Sequence, residues 1–268
     1  MVRITSRSLE VIDKGHPTDA HPAPLLFVHG LAHAAWCWDE YFLSFFAERG
    51  YRAVAVSLSG HGSSSKPRSL RACSISDYVN DVRSVADSLP SRPVMIGHSM
   101  GGFVVQKYLE YHRAPAGILM ASIPCGGVYG TALRNAKRHP WLLIKTSLTN
   151  NTVQMINTPA RAREALFSAR TPEADVLRWA ARLQNESQRA LLDMLFLNLP
   201  VPERVTAPLL VLGAECDGSI TMAEVQATAH AYGTEAKIFP HMGHDMMLEP
   251  GWGTVANRID DWLITQGL

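Results

Sequence analysis

The chain has 268 residues, and its 25 Lys plus Arg against 24 Asp plus Glu leave a formal charge of +1. That length suits one large α/β domain, and the balanced charge carries no electrostatic footprint for nucleic acid or an anionic membrane. Hydrophobic residues at 47% and charged residues at 18% exclude a disordered chain. Residues 1–10 have no apolar core, so no secretory leader is expected. The longest apolar stretches, such as 191–199, are broken by Asp193 and Asn198, short of the roughly 18 residues a membrane span needs. Cys37, Cys73, Cys125 and Cys216 lie far apart with no CxxC pair. They read as free thiols in a reducing, cytoplasmic setting, and not as zinc ligands.

In chain order, residues 2–5 and 9–12 suggest a small antiparallel edge. A Pro- and His-rich loop follows at 16–24, with His16 and His21 as solvated turn residues. Apolar runs of strand length then come at 25–29, 53–58, 94–97, 117–121, 209–213 and 236–239. Continuous apolar runs suit parallel strands buried on both faces. Helical patterns at 38–49, 76–89, 100–111, 221–232 and 253–265 alternate with them, which predicts a doubly wound, mostly parallel α/β sheet. The alternation stops at 126–203, a helical stretch with ten Lys/Arg and six Asp/Glu. Thr158-Pro159 and Thr171-Pro172 read as helix starts within it, each a Thr N-cap followed by Pro. The expected organisation is a core of 1–125 and 204–268 with a helical cap, 126–203, inserted into it.

The sharpest motif is Gly97-His98-Ser99-Met100-Gly101-Gly102, between the run at 94–97 and a helical pattern. This is G-x-S-x-G in its required setting of strand, sharp turn and helix. Side chains at Gly97 or Gly101 would collide with neighbouring backbone, and the strained turn lifts the Ser99 hydroxyl to a helix N-terminus, where a developing anion is favoured. A second signal is the run 25–29 ending in His29-Gly30-Leu31. The backbone N–H groups of Leu31 and Met100 can converge there as an oxyanion hole. His29 itself reads as a loop organiser.

A serine hydroxyl needs a base, and the base an orienting carboxylate. His244 follows the run 236–239 in His241-Met242-Gly243-His244-Asp245 and is preferred to His241. His98 should point away from this work; His33, His61, His112, His139 and His230 read as loop or surface residues. Asp217 follows the run 209–213 and is preferred to Glu215, while the strand end at Ser122-Ile123-Pro124 offers no acid. Asp245 reads as a local cap or a surface charge.

The order Ser99, Asp217, His244, with the HG strand end, the Gly60-His61-Gly62-Ser63-Ser64 loop and an inserted cap, resembles the α/β-hydrolase superfamily over nearly the whole chain. Within it the chain resembles the serine esterase and lipase-like branch. That resemblance implies hydrolysis of a small, largely apolar carboxylic ester by Ser99, Asp217 and His244, with no metal or cofactor. Ser99 stands where dehalogenases and epoxide hydrolases of the superfamily carry Asp. Leu31-Ala32-His33 lacks the Pro typical of perhydrolases. The segment 29–38 is similar to plant esterases and hydroxynitrile lyases, but no Lys lies near His244 as in the lyases. C–C bond or lactone hydrolysis by the same triad, or a non-catalytic receptor on this fold, stay open. Large apolar residues of the insert, among them Trp141, Leu143, Ile144, Met155, Phe167, Trp179 and Met194, either bury one helix face on the core or line an apolar pocket.

Overall fold

The computed structural model of the chain describes residues 8–66, 69–149 and 151–268. Among them, seven strands form one sheet in the order β1-β3-β2-β4-β5-β6-β7. These are β1 (Val11–Lys14), β2 (Leu25–Val28), β3 (Ala53–Val56), β4 (Val94–His98), β5 (Gly117–Met120), β6 (Leu209–Ala214) and β7 (Ala236–Phe239). Only β1 runs antiparallel, paired with β3 so that Val11 faces Val56. The antiparallel edge expected at 9–12 therefore pairs with β3 and sits two residues later. Its other half, 2–5, lies outside the described residues.

Every residue of β2, β3, β4, β5 and β6 is buried, because helices cover both faces of the sheet. The strand period of two sorts the core. Leu25 and Phe27 join Trp38, Phe42, Phe46 and Ile259 on one face, while Leu26 and Val28 join Tyr78, Val82, Phe103 and Val104 on the other.

The helices are α1 (Trp36–Asp39), α2 (Phe42–Glu48), α3 (Ile75–Ser88), α4 (Met100–Leu109), α5 (Tyr129–Arg138) and α6 (Pro140–Thr149), then α7 (Pro159–Leu166), α8 (Glu173–Ala180), α9 (Gln188–Leu192), α10 (Met222–Ala231) and α11 (Trp252–Thr265). The single helix expected at 38–49 is two. Tyr41 leaves helical geometry at φ −143° and stacks on Trp252, ring centroids 4.9 Å apart. Helix α3 opens at a capping box, Ser74 and Asp77, which places its start before the expected residue 76. Thr158 caps α7 as its sequence implies. Thr171 does not cap α8, which starts at Glu173 after Pro172. The Thr171 hydroxyl instead donates to buried Glu249 at 2.5 Å.

Helices α5 to α9 all lie between β5 and β6. Backbone and side-chain bonds fasten this stretch to the core. Gln184 N–H donates to the Ala32 carbonyl at 2.8 Å, and Gly62 N–H donates to Gln184 Oε1 at 2.8 Å. Glu40 receives both Arg178 and Arg182 of the α8 region at 2.8 Å. Chain order reverses between β2 and β4, so the crevice beyond their C-terminal ends is the place where such a sheet binds ligands.

Candidate active site

Strand β4 runs into α4 through Ser99, whose backbone is held at φ +51° and ψ −116°. A non-glycine residue adopts such a conformation only when its surroundings impose it. They do so through backbone bonds. Ser99 N–H donates to the Met120 carbonyl, and its own carbonyl accepts from Phe103 and Ile123 N–H. The glycines around it follow from close approach. A Cβ on Gly97 would run into the backbone of Gly101 and Gly102, and one on Gly101 into the carbonyls of Val28 and His29.

The buried β6 end leads to Asp217, whose Oδ1 accepts Ser219 N–H at 2.7 Å and Ile220 N–H at 2.8 Å. Its Oδ2 accepts from His244 Nδ1 at 2.7 Å, and the two side chains are 1% and 3% exposed. The carboxylate thus fixes the ring tautomer, with the proton on Nδ1 and the lone pair on Nε2. Burial opposes the charged form of His244, but the charge and hydrogen bond of Asp217, with Asp245 beyond, outweigh it. His244 therefore titrates above the usual imidazole range. Glu215, the rival acid, is exposed and accepts the His241 N–H at 2.7 Å.

Ser99 and His244 line one cavity of about 500 Å³, together with Leu31, His33, Leu143 and Ile156. Met100 is buried at the first position of α4, where its N–H has no intrahelical acceptor. Of the apolar insert residues, Leu143, Met155 and Ile156 line the cavity, Phe167, Trp179 and Met194 are buried, and Trp141, Ile144 and Phe196 are exposed.

Four polar residues stand apart from their sequence reading. His33 and Asp245, read as loop and surface groups, are buried and paired at 3.0 Å between His33 Nε2 and Asp245 Oδ2. His61 is also buried, with Nε2 3.1 Å from Glu186 Oε2 of the insert. Glu186 in turn accepts from Tyr78 Oη and Ser187 N–H, both at 2.7 Å. His21 is half-buried and stacked on Tyr51, its Nδ1 3.0 Å from the Leu268 carbonyl. The carboxylates that pair with His33 and His61, on Asp245 and Glu186, lie 212 and 125 residues along the chain, so no local pattern announces them.

His29 and His98 are both buried, each with a defined partner. His29 links strand ends, donating from Nδ1 to the Gly30 carbonyl and accepting Leu58 N–H on Nε2. His98 donates from Nε2 to the His244 carbonyl at 3.0 Å, and burial, with the charge of His244, lowers it to about 3. His98, His244 and Asp245 bring three ligand-type atoms within 4.8 Å of one another. Each residue already has a partner in the protein: the His244 carbonyl, Asp217 and His33 respectively.

A serine raised on a strained strand-to-helix turn, over a cavity shared with a buried His–Asp pair, is the arrangement that nucleophilic serine chemistry on an α/β sheet requires. A family model described as "Alpha/beta hydrolase family" matches residues 25–254, and the chain belongs to that family. Among curated relatives, it is 34% identical over 120 residues to a non-heme chloroperoxidase of Burkholderia pyrrocinia, covering 40% of this chain and 39% of that protein. The chain thus spans well under two thirds of that relative. A thermophilic esterase of Thermogutta terrifontis superposes with a TM-score of 0.76 at 17% identity, covering 100% of this chain and 97% of that one. A monoacylglycerol lipase of Paleococcus ferrophilus does so at 0.72 and 20%, covering 97% and 99%. No helix among the described residues is long and apolar enough to cross a membrane.

Proposed function

We propose that this chain is a serine hydrolase that cleaves the carboxylic ester of a small, largely apolar substrate through an acyl-enzyme. The observation that carries the reading is the 2.7 Å contact of His244 Nδ1 with Asp217 Oδ2, at the wall of the cavity that Ser99 also lines. Ser99 Oγ attacks the ester carbonyl as His244 Nε2 takes its proton. The backbone N–H groups of Leu31 and Met100 hold the resulting oxyanion. The tetrahedral adduct collapses, and the alcohol leaves with the proton from His244. A water then gives its proton to His244 and frees the acid, restoring Ser99. These steps draw only on groups of the chain, so no metal or cofactor enters the proposal.

Residues 126–203 act as the cap that closes the apolar pocket, with Leu143, Met155 and Ile156 among its lining. The loop Leu31-Ala32-His33 has no proline, which favours hydrolysis over the peracid chemistry of perhydrolases. The four free cysteines, two of them buried, accord with a reducing cytoplasm. A panel of simple esters, lactones and vinylogous diketones at equal concentration tests the bond. Ester turnover should dominate, and ester rates far below either rival class would overturn the choice.

The pH profile follows from His244. The base works only when neutral, and its pKa lies above the ordinary 6.5 because Asp217 stabilises the imidazolium against the penalty of burial. kcat/KM should therefore fall as pH drops through a midpoint above 6.5, with a slope of one proton, and level off on the alkaline side. A limb centred near pH 5 would assign the titration to another group.

A further inference from the structure

His33 is 1% exposed and has an acceptor at each ring nitrogen. Nδ1 lies 2.7 Å from the Leu31 carbonyl oxygen and Nε2 3.0 Å from Asp245 Oδ2. A carbonyl and an ionised carboxylate can only accept. Burial would favour a neutral Asp245, but the neighbouring His33, His98 and His244 outweigh it and hold its carboxyl below the usual range. Both ring nitrogens of His33 must then donate. Trp36 stacks on the ring, centroids 5.5 Å apart and planes at 27°, a contact that suits a cationic ring.

The same residue controls the loop that carries Leu31. The Gly30 carbonyl accepts from His29 Nδ1 at 2.8 Å and from the His33 backbone N–H at 3.3 Å. In a trans peptide the N–H opposes the C=O, so these bonds also set the direction of the Leu31 N–H. The next carbonyl, Leu31, is held by the His33 ring, and the one after, Ala32, by Gln184 N–H at 2.8 Å. Ala32 sits between them at φ +63°, a left-handed conformation that such a loop keeps only when its peptides are gripped. Asp245, the far end of the clamp, adjoins His244.

We propose that His33 and Asp245 form a buried imidazolium–carboxylate pair that positions the Leu31 N–H as an oxyanion donor and locks that loop to the segment carrying His244. His33 is thus a positioning residue for the hydrolysis proposed above, and the inference rests on that reading. It lines the cavity while Asp245 does not, so the positive end of the pair faces the reacting centre.

The test compares His33→Phe, His33→Gln and Asp245→Asn with Ser99→Ala on one ester, each checked for a native unfolding transition. His33→Phe should lower kcat by about 10²–10³, the effect of losing one oxyanion donor, with KM changed less than threefold. His33→Gln can donate to only one of the two acceptors and should fall between. In ¹⁵N-resolved NMR of the wild-type protein, the His33 ring should show both nitrogens protonated at pH 7, and Asp245→Asn should remove one of those protons. The NMR readout needs no variant for its first part, so a His33 variant that fails to fold leaves the proposal open to refutation. A folded His33→Phe with kcat within threefold of wild type, or a wild-type His33 ring with one N–H at pH 7, overturns it. If Ser99→Ala is inert while the His33 variants are unimpaired, this inference alone fails. If Ser99→Ala keeps its activity, the parent reading fails with it.

Discussion

Ser99→Ala is expected to remove nearly all turnover, about 10⁶ in kcat where a serine nucleophile acts with its base as a unit, while the protein stays folded. The second half of that statement comes from the structure. The Ser99 side chain makes no capping hydrogen bond to α4. What holds the turn are main-chain bonds to Met120, Phe103 and Ile123 and the clearances at Gly97 and Gly101, all of which alanine retains. A loss of activity accompanied by unfolding would point to a structural role. Turnover of a p-nitrophenyl ester, measured with the midpoint of thermal unfolding, separates the two.

The next largest effect is expected at the acid. Asp217→Asn should keep the bonds from Ser219 and Ile220 N–H to one side-chain oxygen. The amide then faces His244 Nδ1 with a donor where the carboxylate accepted, which moves the ring proton to Nε2 and leaves that nitrogen unable to act as base. Such an exchange in a serine triad lowers kcat by about 10⁴. Glu215→Gln should lose less than about tenfold, because that carboxylate is exposed and holds only the His241 loop. kcat/KM of both variants against one ester at pH 7–8 decides the ranking. The reverse order would move the acid to Glu215, and modest losses in both would place it elsewhere.

The difference between these residues and the buried pairs explains what could be read from the chain alone. The turn at Ser99 is legible because its requirement is local: a strand, a strained residue and glycines wherever backbone meets backbone. The meeting of Asp217 with His244 is legible because an α/β sheet gathers its loops at the strand ends, and the two residues lie three and five positions past the ends of β6 and β7. His33 with Asp245, and Glu186 with His61 and Tyr78, depend on partners 212, 125 and 108 residues apart. A histidine in a loop looks the same in sequence whether water or a buried carboxylate faces it. The division of α1 from α2 was hidden for a similar reason, since Tyr41 leaves the helix to meet Trp252, near the far end of the chain. Thr171 carries a helix-start pattern in sequence, yet Glu249 takes its hydroxyl.

Labelling with a fluorophosphonate tests the central claim most directly, because it reports an activated serine whatever the substrate. One equivalent should attach per chain, peptide mapping should place it on Ser99, and Ser99→Ala should block it. Folded wild-type protein that takes up no label, or takes it up equally after Ser99→Ala, would contradict the account.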